Sequence, residues 1–460
     1  MLIKQTQVNI LEETKDLIIS NDPNQTNVKR VLEVLPMDIT TLLDDGFCTI
    51  TTLGALKATR VHMFDNETMQ DAQKRKKLIK KITALSQEAI ILLDTFNPKV
   101  VAHMVELIAL ERYQFNALKS DKKTKQKALY YHAEKVIKAT EKGLIIAEAM
   151  NHTKELVNTP YSHLKASDLA RYAKDLERIE GIKVKVLEKE AIQAMNMGAF
   201  LAVNKGSIEP PVLIHIEYIG DKNSAEKTAL IGKGVMFDTG GYSLKPSTSM
   251  VTMKMDMGGA ATVLGAIEAI AHLKYPKNVM VIIAATDNRI GDHAIVPDDV
   301  IEAANGLTIE IISTDAEGRL TLADALWYAQ KEGATQMIDV ATLTGAIVAA
   351  LGEEHIGAFT NQKAFLDKVL NIAEINLEKI WHMPISEGHH KAIKSFSADI
   401  KNSGGRLAGA STAAAFLERF VDEKTPWIHF DIAGAAYQEK TGATGRLVKT
   451  LTELFNPDNT

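Results

Sequence analysis

Between residues 212 and 430 short runs of β-branched residues alternate with helical stretches. The runs are 212–218 (VLIHIEY), 228–231, 279–285, 309–312, 336–340 and 427–430. The stretches are 259–273, 320–330 and 411–420. This alternation restricts the fold more than any other feature, because parallel neighbouring strands need a crossover of helical length. It predicts an α/β/α domain with a mixed, mainly parallel central sheet and helices on both faces. In such sheets ligands sit beyond the carboxyl ends of the strands.

The first 150 residues read as a separate α/β module, with apolar stretches between charged, helix-forming segments such as 71–93. From 119 to 156 the spacing is helical, and Asn158-Thr159-Pro160 breaks it. The expected division is therefore an N-terminal α/β domain over 1–150, ending in a connecting helix, and a second domain over 151–460. With 460 residues, 46% hydrophobic and 24% charged, both can bury cores unaided. The single cysteine, Cys48, excludes a disulfide scaffold, a Cys-rich zinc site and an iron–sulfur cluster. No run of 18 apolar residues exists and the N-terminus lacks a secretion pattern, so a cytoplasmic protein with no membrane partner is expected.

The net charge of −5 is unevenly spread. Residues 1–150 hold 22 Lys/Arg against 19 Asp/Glu, while 151–460 hold 31 against 39. The basic surplus comes from 74–81 (KRKKLIKK) and 119–127 (KSDKKTKQK). These read first as solvated helix faces and a loop, and second as a nucleic-acid patch.

Common catalytic signatures are missing: there is no HExxH, GxSxG or GxxxxGK[ST]. Three glycine-rich, charge-bearing segments stand out instead: 230–245 (LIGKGVMFDTGGYSLK), 254–261 (KMDMGGAA) and 313–320 (STDAEGRL). Any one alone is readily a turn with Asp as a cap. Together they bring Asp238, Asp256, Asp315 and Glu317 toward one crevice. Four carboxylates cannot share a dry site unless cations neutralise them. A pair of divalent metals does so, and an oxygen-rich set suits Mn²⁺, Mg²⁺ or Zn²⁺. Lys233, Lys245 and Arg319 lie in the same segments as oxyanion stabilisers or, for a neutral lysine, a metal ligand. A phosphoesterase-type dinuclear site would use several His ligands, and none lies near these motifs.

At these residues the chain resembles the leucyl aminopeptidase family, dinuclear metallo-exopeptidases. TDAEGRLT continuing to LADAL, with GKGVMFDTGGYSLK and MDMGGAA in order, carries the resemblance. Segments 197–211, 339–345 (DVATLTG), 397–405 (SADIKNSGG) and 431–434 (DIAG) extend it over about 148–455. The resemblance implies that Lys233, Asp238, Asp256 and Glu317 hold the tighter metal. Asp238 and Glu317 bridge to an exchangeable metal completed by Asp315, and Lys245 and Arg319 are the catalytic pair. It places Met253, Thr342, Leu343 and Gly345 in the substrate pocket. It further implies two metal ions per subunit (Mn²⁺ or Zn²⁺, or Mg²⁺ at the exchangeable site) and a bicarbonate near the arginine as general base. Release of N-terminal Leu, Met and other apolar residues by a metal-bridging water is implied too. So are peptide substrates with a free N-terminus, a homohexamer, a macrodomain-like N-terminal module and, as in some members, DNA as a second partner. The chain departs from the family at Ser313, where Asn is usual, and at Asp287 and Asp298, where Glu and Gly are usual.

Overall fold

The structure, a computed structural model, describes residues 2–35, 45–121 and 126–459. The chain divides into two compact units, Met1–Asn151 and His152–Thr460. In the first, six strands form a sheet in the order Leu2–Lys4, Leu129–His132, Ala89–Leu92, Asp16–Ser20, Arg60–Phe64, Phe47–Thr51. All neighbours are parallel except the last pair. Side chains alternate across a strand, so Ile18 and Ile91 pack on one face with Leu78, Ile79 and Met104, from helices Ala72–Thr83 and Pro98–Glu111. Leu17, Ile19, Ile90 and Leu92 face the other way, against Val28 and Val31 of helix Thr26–Val34.

Two expectations for this unit need correction. The segment 119–156 is not one helix: Leu129–His132 is a strand, and the helix runs over Ile137–Asn158. That strand is paired in parallel on both sides, to Leu2–Lys4 and Ala89–Leu92, and backbone partners on two sides override a helical spacing. Within 71–93 the helix likewise stops at Thr83, and the fully buried Ala89–Leu92 is a strand. The basic run 74–81 lies on helix Ala72–Thr83, where Arg75, Leu78 and Ile79 are buried and the other basic residues face outward. In the run 119–127, residues 122–125 lie outside the described residues.

The second unit is built on an eight-stranded sheet. Its order is Ile380–His382, Ile356–Thr360, Trp427–Asp431, Gln336–Ala341, Thr228–Asp238, Asn278–Asn288, Val212–Ile219, Ile182–Leu187. The four central strands, Trp427–Asp431 through Asn278–Asn288, are mutually parallel. Ile356–Thr360 and Val212–Ile219 flank them antiparallel. Both faces are covered. Leu230, Val281 and Ile283 pack with Val263 and Leu264 of helix Gly258–His272. Ile231, Met280 and Ile282 pack with Leu322 and Leu326 of helix Gly318–Lys331.

The strand expected over 228–231 continues to Asp238. Its glycines are not turn residues. A Cβ at Gly232 would lie 2.6 Å from Ala260 Cα, and one at Gly259 would lie 1.9 Å from the Val340 carbonyl oxygen. Glycine at both positions lets helix Gly258–His272 lie directly on the sheet. Among the described residues no helix is long and apolar enough to cross a membrane.

Candidate active site

The carboxyl ends of the parallel strands, and the loops that follow them, supply the site. Lys233 and Asp238 lie on Thr228–Asp238, whose continuation carries Lys245. Asp256 sits in the 3₁₀ turn Met253–Met257, which leads into helix Gly258–His272. Asp315 and Glu317 precede helix Gly318–Lys331, and Arg319 lies in its first turn. Thr342 and Leu343 follow strand Gln336–Ala341, and Gly345 opens helix Gly345–Leu351. All eleven residues singled out from the sequence, namely these ten and Met253, line one cleft of about 420 Å³.

Within it the charges interlock. Lys233 Nζ lies 2.8 Å from both Asp256 oxygens and 2.9 Å from Glu317 Oε1, and donates to the Thr342 carbonyl at 3.0 Å. Lys245 Nζ lies 2.8 Å from Asp238 Oδ2 and 2.7 Å from Asp315 Oδ1. One oxygen from each of Asp238, Asp315 and Glu317 lies within 4.8 Å of the others. Burial, then the neighbouring carboxylates, pushes the Asp238 and Asp315 carboxyls up. Asp256 is raised well above the ordinary range, mainly by burial, with Lys233 opposing. Burial by itself would lower Lys233 and Lys245, but the surrounding carboxylates reverse this and raise both. Burial pulls the Arg319 guanidinium down to about 10, against Glu317, Asp431 and Asp315.

The site also contains buried polar atoms without partners. Glu317 Oε2 and Arg319 Nε have no hydrogen-bond partner among the described residues. Asp256 Oδ2, although close to Lys233, is not aligned for a hydrogen bond. Such atoms are expensive to bury, and in the cleft they leave donor and acceptor sites open to a ligand. Carboxylate oxygens grouped around two amines, without Cys or His, fit hard or borderline divalent cations.

Several residues that sequence reasoning did not single out hold this arrangement. Asn288 donates from Nδ2 to Asp238 Oδ1 at 2.8 Å and to the Thr314 carbonyl at 3.0 Å. Asn402 accepts from Ile312 N at 2.8 Å, donates to the Ser313 carbonyl at 2.7 Å and offers its own carbonyl to Arg319 Nη1 at 2.8 Å. Asn402 thus anchors the loop around Ser313, whose hydroxyl accepts from Asp315 N at 3.3 Å. Thr344 and Asp431 brace the next loop. Asn402, Thr344 and Asp431 fall in segments marked by resemblance alone, and Asn288 in none of those, because a side chain that orients a loop has no spacing rule of its own.

The departures at 287 and 298 sit away from the charges. Asp287 is buried, accepts from Tyr161 Oη at 2.7 Å and Arg289 Nε at 2.9 Å, and does not line the cleft. Asp298 has φ +74°, a left-handed conformation that glycine adopts at less cost than Asp.

Comparison with known proteins shows the family of the chain. Residues 151–452 match the model of the cytosol aminopeptidase family, catalytic domain. The chain belongs to the cytosol aminopeptidase family. A probable cytosol aminopeptidase of Clostridium perfringens is 41% identical over 441 residues, 91% of this chain and 88% of that protein. One of Bacillus subtilis is 44% identical over 388 residues, 80% and 77% of the two chains. A mutant of tomato leucine aminopeptidase superposes with a TM-score of 0.83 at 28% identity, covering 99% of this chain and 96% of that one. The bottromycin maturation enzyme BotP, solved in complex with Mn, superposes with a TM-score of 0.84 at 26% identity, covering 97% and 100%. As a cytosol aminopeptidase family member, this chain is a metal-dependent aminopeptidase, a metallo-exopeptidase of the hydrolase class.

Proposed function

We propose that the cleft releases the first residue of peptides with a free N-terminus, preferring Leu, Met and other apolar residues. One observation carries this reading. Five potential ligands, Lys233, Asp238, Asp256, Asp315 and Glu317, converge at the strand ends with carboxylate oxygens of Asp256 and Glu317 left without hydrogen bonds. Lys233, Asp238, Asp256 and Glu317 would hold one divalent ion, and Asp238, Glu317 and Asp315 a second. Mn²⁺ or Zn²⁺ fits the donor set, with Mg²⁺ an alternative at the more exposed Asp315 side. The chemistry that a divalent metal pair held by these residues would supply is activation of water and polarisation of the scissile carbonyl.

The chain's own groups do the rest. Lys233 neutralises the carboxylates as an ammonium, and must give up that proton to act as a ligand. Its complete burial disfavours the charge once divalent charge takes over that task. Lys245 points its ammonium between Asp238 and Asp315, where it would stabilise negative charge developing on the carbonyl oxygen. Arg319, with Nε unpartnered and Nη1 fixed by Asn402, fits a small anion such as bicarbonate. That anion would be the general base. Met253, Thr342, Leu343 and Gly345 would receive the first side chain. One methylene there is worth about 1–3 kcal/mol, so selectivity among apolar residues is broad.

The test pairs Leu-p-nitroanilide with its N-acetyl form, after chelation and after adding back Mn²⁺ or Zn²⁺. Metal-restored cleavage of the free-amine substrate alone is expected. Equal cleavage of both substrates would remove the requirement for a free amine. The reading includes a homohexamer, which rests on the family resemblance alone. Light scattering at a monomer mass would refute that assembly.

A further inference from the structure

Asp431 ends the strand Trp427–Asp431 and is only 1% exposed. It does not line the cleft, yet its carboxylate holds two of the cleft's walls. Oδ1 accepts from Leu343 N at 3.1 Å, Thr344 N at 3.4 Å and Ala433 N at 3.2 Å, and Oδ2 accepts from Thr344 Oγ1 at 2.6 Å. Leu343, Thr344 and Ala433 all line the cleft. The same loop continues back to Thr342. Its carbonyl accepts from Lys233 Nζ at 3.0 Å, and its hydroxyl donates to Asp256 Oδ1 at 2.9 Å. In the other direction Thr344 Oγ1 accepts from Ile347 N at 3.0 Å and caps helix Gly345–Leu351. Hydrogen bonds at both ends of the covalent segment 342–344 therefore connect Asp431 to Lys233 and Asp256.

The chemistry of the clamp calls for a carboxylate. Four donors, three backbone N–H groups and a hydroxyl, converge on one side chain. Only an ionised carboxylate offers acceptor sites on both oxygens for all of them, whereas an amide turns an NH₂ toward at least one donor. An unmet buried donor costs about 1–3 kcal/mol, enough to shift a loop held by little else.

We propose that Asp431 is a positioning residue for the aminopeptidase reaction. It sets the 342–345 loop and, through Thr342, the aim of Lys233 and Asp256 and the width of the pocket for the first side chain. This rests on the reading of Lys233 and Asp256 as metal ligands.

Two variants of the full chain test it. Asp431→Asn keeps the shape and faces an amide toward the Thr344 hydroxyl. Thr344→Val removes that hydroxyl and leaves the Asp431 charge intact. Each is compared with the parent and with Asp256→Ala for its Mn²⁺ dissociation constant, by competition with a chromogenic chelator. KM and kcat for Leu-p-nitroanilide are then measured at saturating Mn²⁺. Both variants are expected to bind Mn²⁺ roughly 10- to 100-fold more weakly, the usual cost of losing a group that orients a ligand. At saturating metal KM should rise more than kcat falls.

Parent-like Mn²⁺ affinity in both variants, with Asp256→Ala weakened, would overturn the clamp alone. Weakening in Asp431→Asn only would also overturn it, because it would trace the effect to the Asp431 charge near Arg319. Equal Mn²⁺ binding by the parent and Asp256→Ala would instead remove the ligand assignment on which the clamp rests. If Asp431→Asn does not fold, Thr344→Val decides the question alone.

Discussion

Both units are built on mixed sheets with parallel strands at the centre, and they treat the carboxyl ends of those strands in opposite ways. In the first unit the polar groups there satisfy one another. The Ser20 hydroxyl donates to the Thr95 carbonyl, and Thr95 Oγ1 accepts from Ser20 N at 3.0 Å. Asn21 Nδ2 donates to Asp65 at 3.0 Å, and Thr68 N to the other Asp65 oxygen at 2.8 Å. Asp94, with His132 and Glu134, even forms a trio that could hold a metal. Yet both Asp94 oxygens already accept backbone N–H groups, from Glu134, Lys135 and Val136 at 2.8 to 3.2 Å. In the second unit the strand ends gather Asp238, Asp256, Asp315 and Glu317 and leave Glu317 Oε2 and Arg319 Nε without partners. The topology permits a site in either unit. What separates these two groups of strand-end residues is whether their polar atoms are internally satisfied.

The largest expected effect tests this contrast directly. Asp256→Ala, or Lys245→Ala, should lower kcat/KM by about 10³-fold with near-ultraviolet circular dichroism unchanged, a loss of about 4 kcal/mol in transition-state stabilisation. His132→Ala should leave both activity and the number of metal ions retained per chain, counted by mass spectrometry, as in the parent. A metal lost with His132 would mean that the first unit's trio is more than a cap.

Asp94→Ala comes next. It leaves three backbone N–H groups without their acceptor and should cost about 2 kcal/mol in urea unfolding, with Mn²⁺ affinity unaltered. A parent-like midpoint would show that these bonds carry no net stability.

Two carboxyls, one in each unit, should also respond to pH with opposite sign. Asp324, on helix Gly318–Lys331, accepts from Phe200 N and Ala304 N at 2.8 Å, but complete burial pushes its carboxyl up to about 7. The native state therefore keeps a proton that the unfolded chain loses near the ordinary 3.8, and stability falls as pH rises through that window. At Asp65 burial acts upward too, but hydrogen bonds from Thr68 and Asn21 outweigh it and hold the carboxyl below 3.8. Its contribution is present above that pH and is lost as pH falls through the lowered value. Melting curves of metal-free protein at pH 5 and 7 should show a higher Tm at pH 5. Asp324→Asn should flatten the difference, and an unchanged slope in that variant would exonerate Asp324.

The smallest effect lies at Asp298. Glycine relieves its φ of +74°, so Asp298→Gly should stabilise the second unit by about 0.5–1 kcal/mol, seen as a Tm rise of about 2–4 °C or less. A fall in Tm would mean that the side chain contributes more than the strained backbone costs.

Much of the catalytic unit was legible along the chain. Helices expected over 259–273 and 320–330 stand at Gly258–His272 and Gly318–Lys331, because their apolar spacing and opening glycines are local signals. The chemistry was equally local: the carboxylates and amines lie in three short segments, and all eleven site residues meet in one cleft. Pairing was not local. Leu129–His132 reads as helix until two strands are placed beside it. Why Gly232 and Gly234 are glycines shows only once Ala260 and Ile283 pack on them, where a Cβ would lie 2.6 and 2.8 Å from their atoms.

The sequence by itself therefore determined the inventory: a parallel α/β core, a set of carboxylates too dense to be left without cations, and the family to which they belong. Only the tertiary structure decided which groups brace that set. Asn288, Asn402 and Asp431 reach partners as far as 50, 90 and 88 residues away in the chain, where the folded backbone alone brings donor and acceptor together. Covalent neighbours dictate helical spacing and turn chemistry. Hydrogen bonds between strand ends exist only after the sheet has ordered those ends.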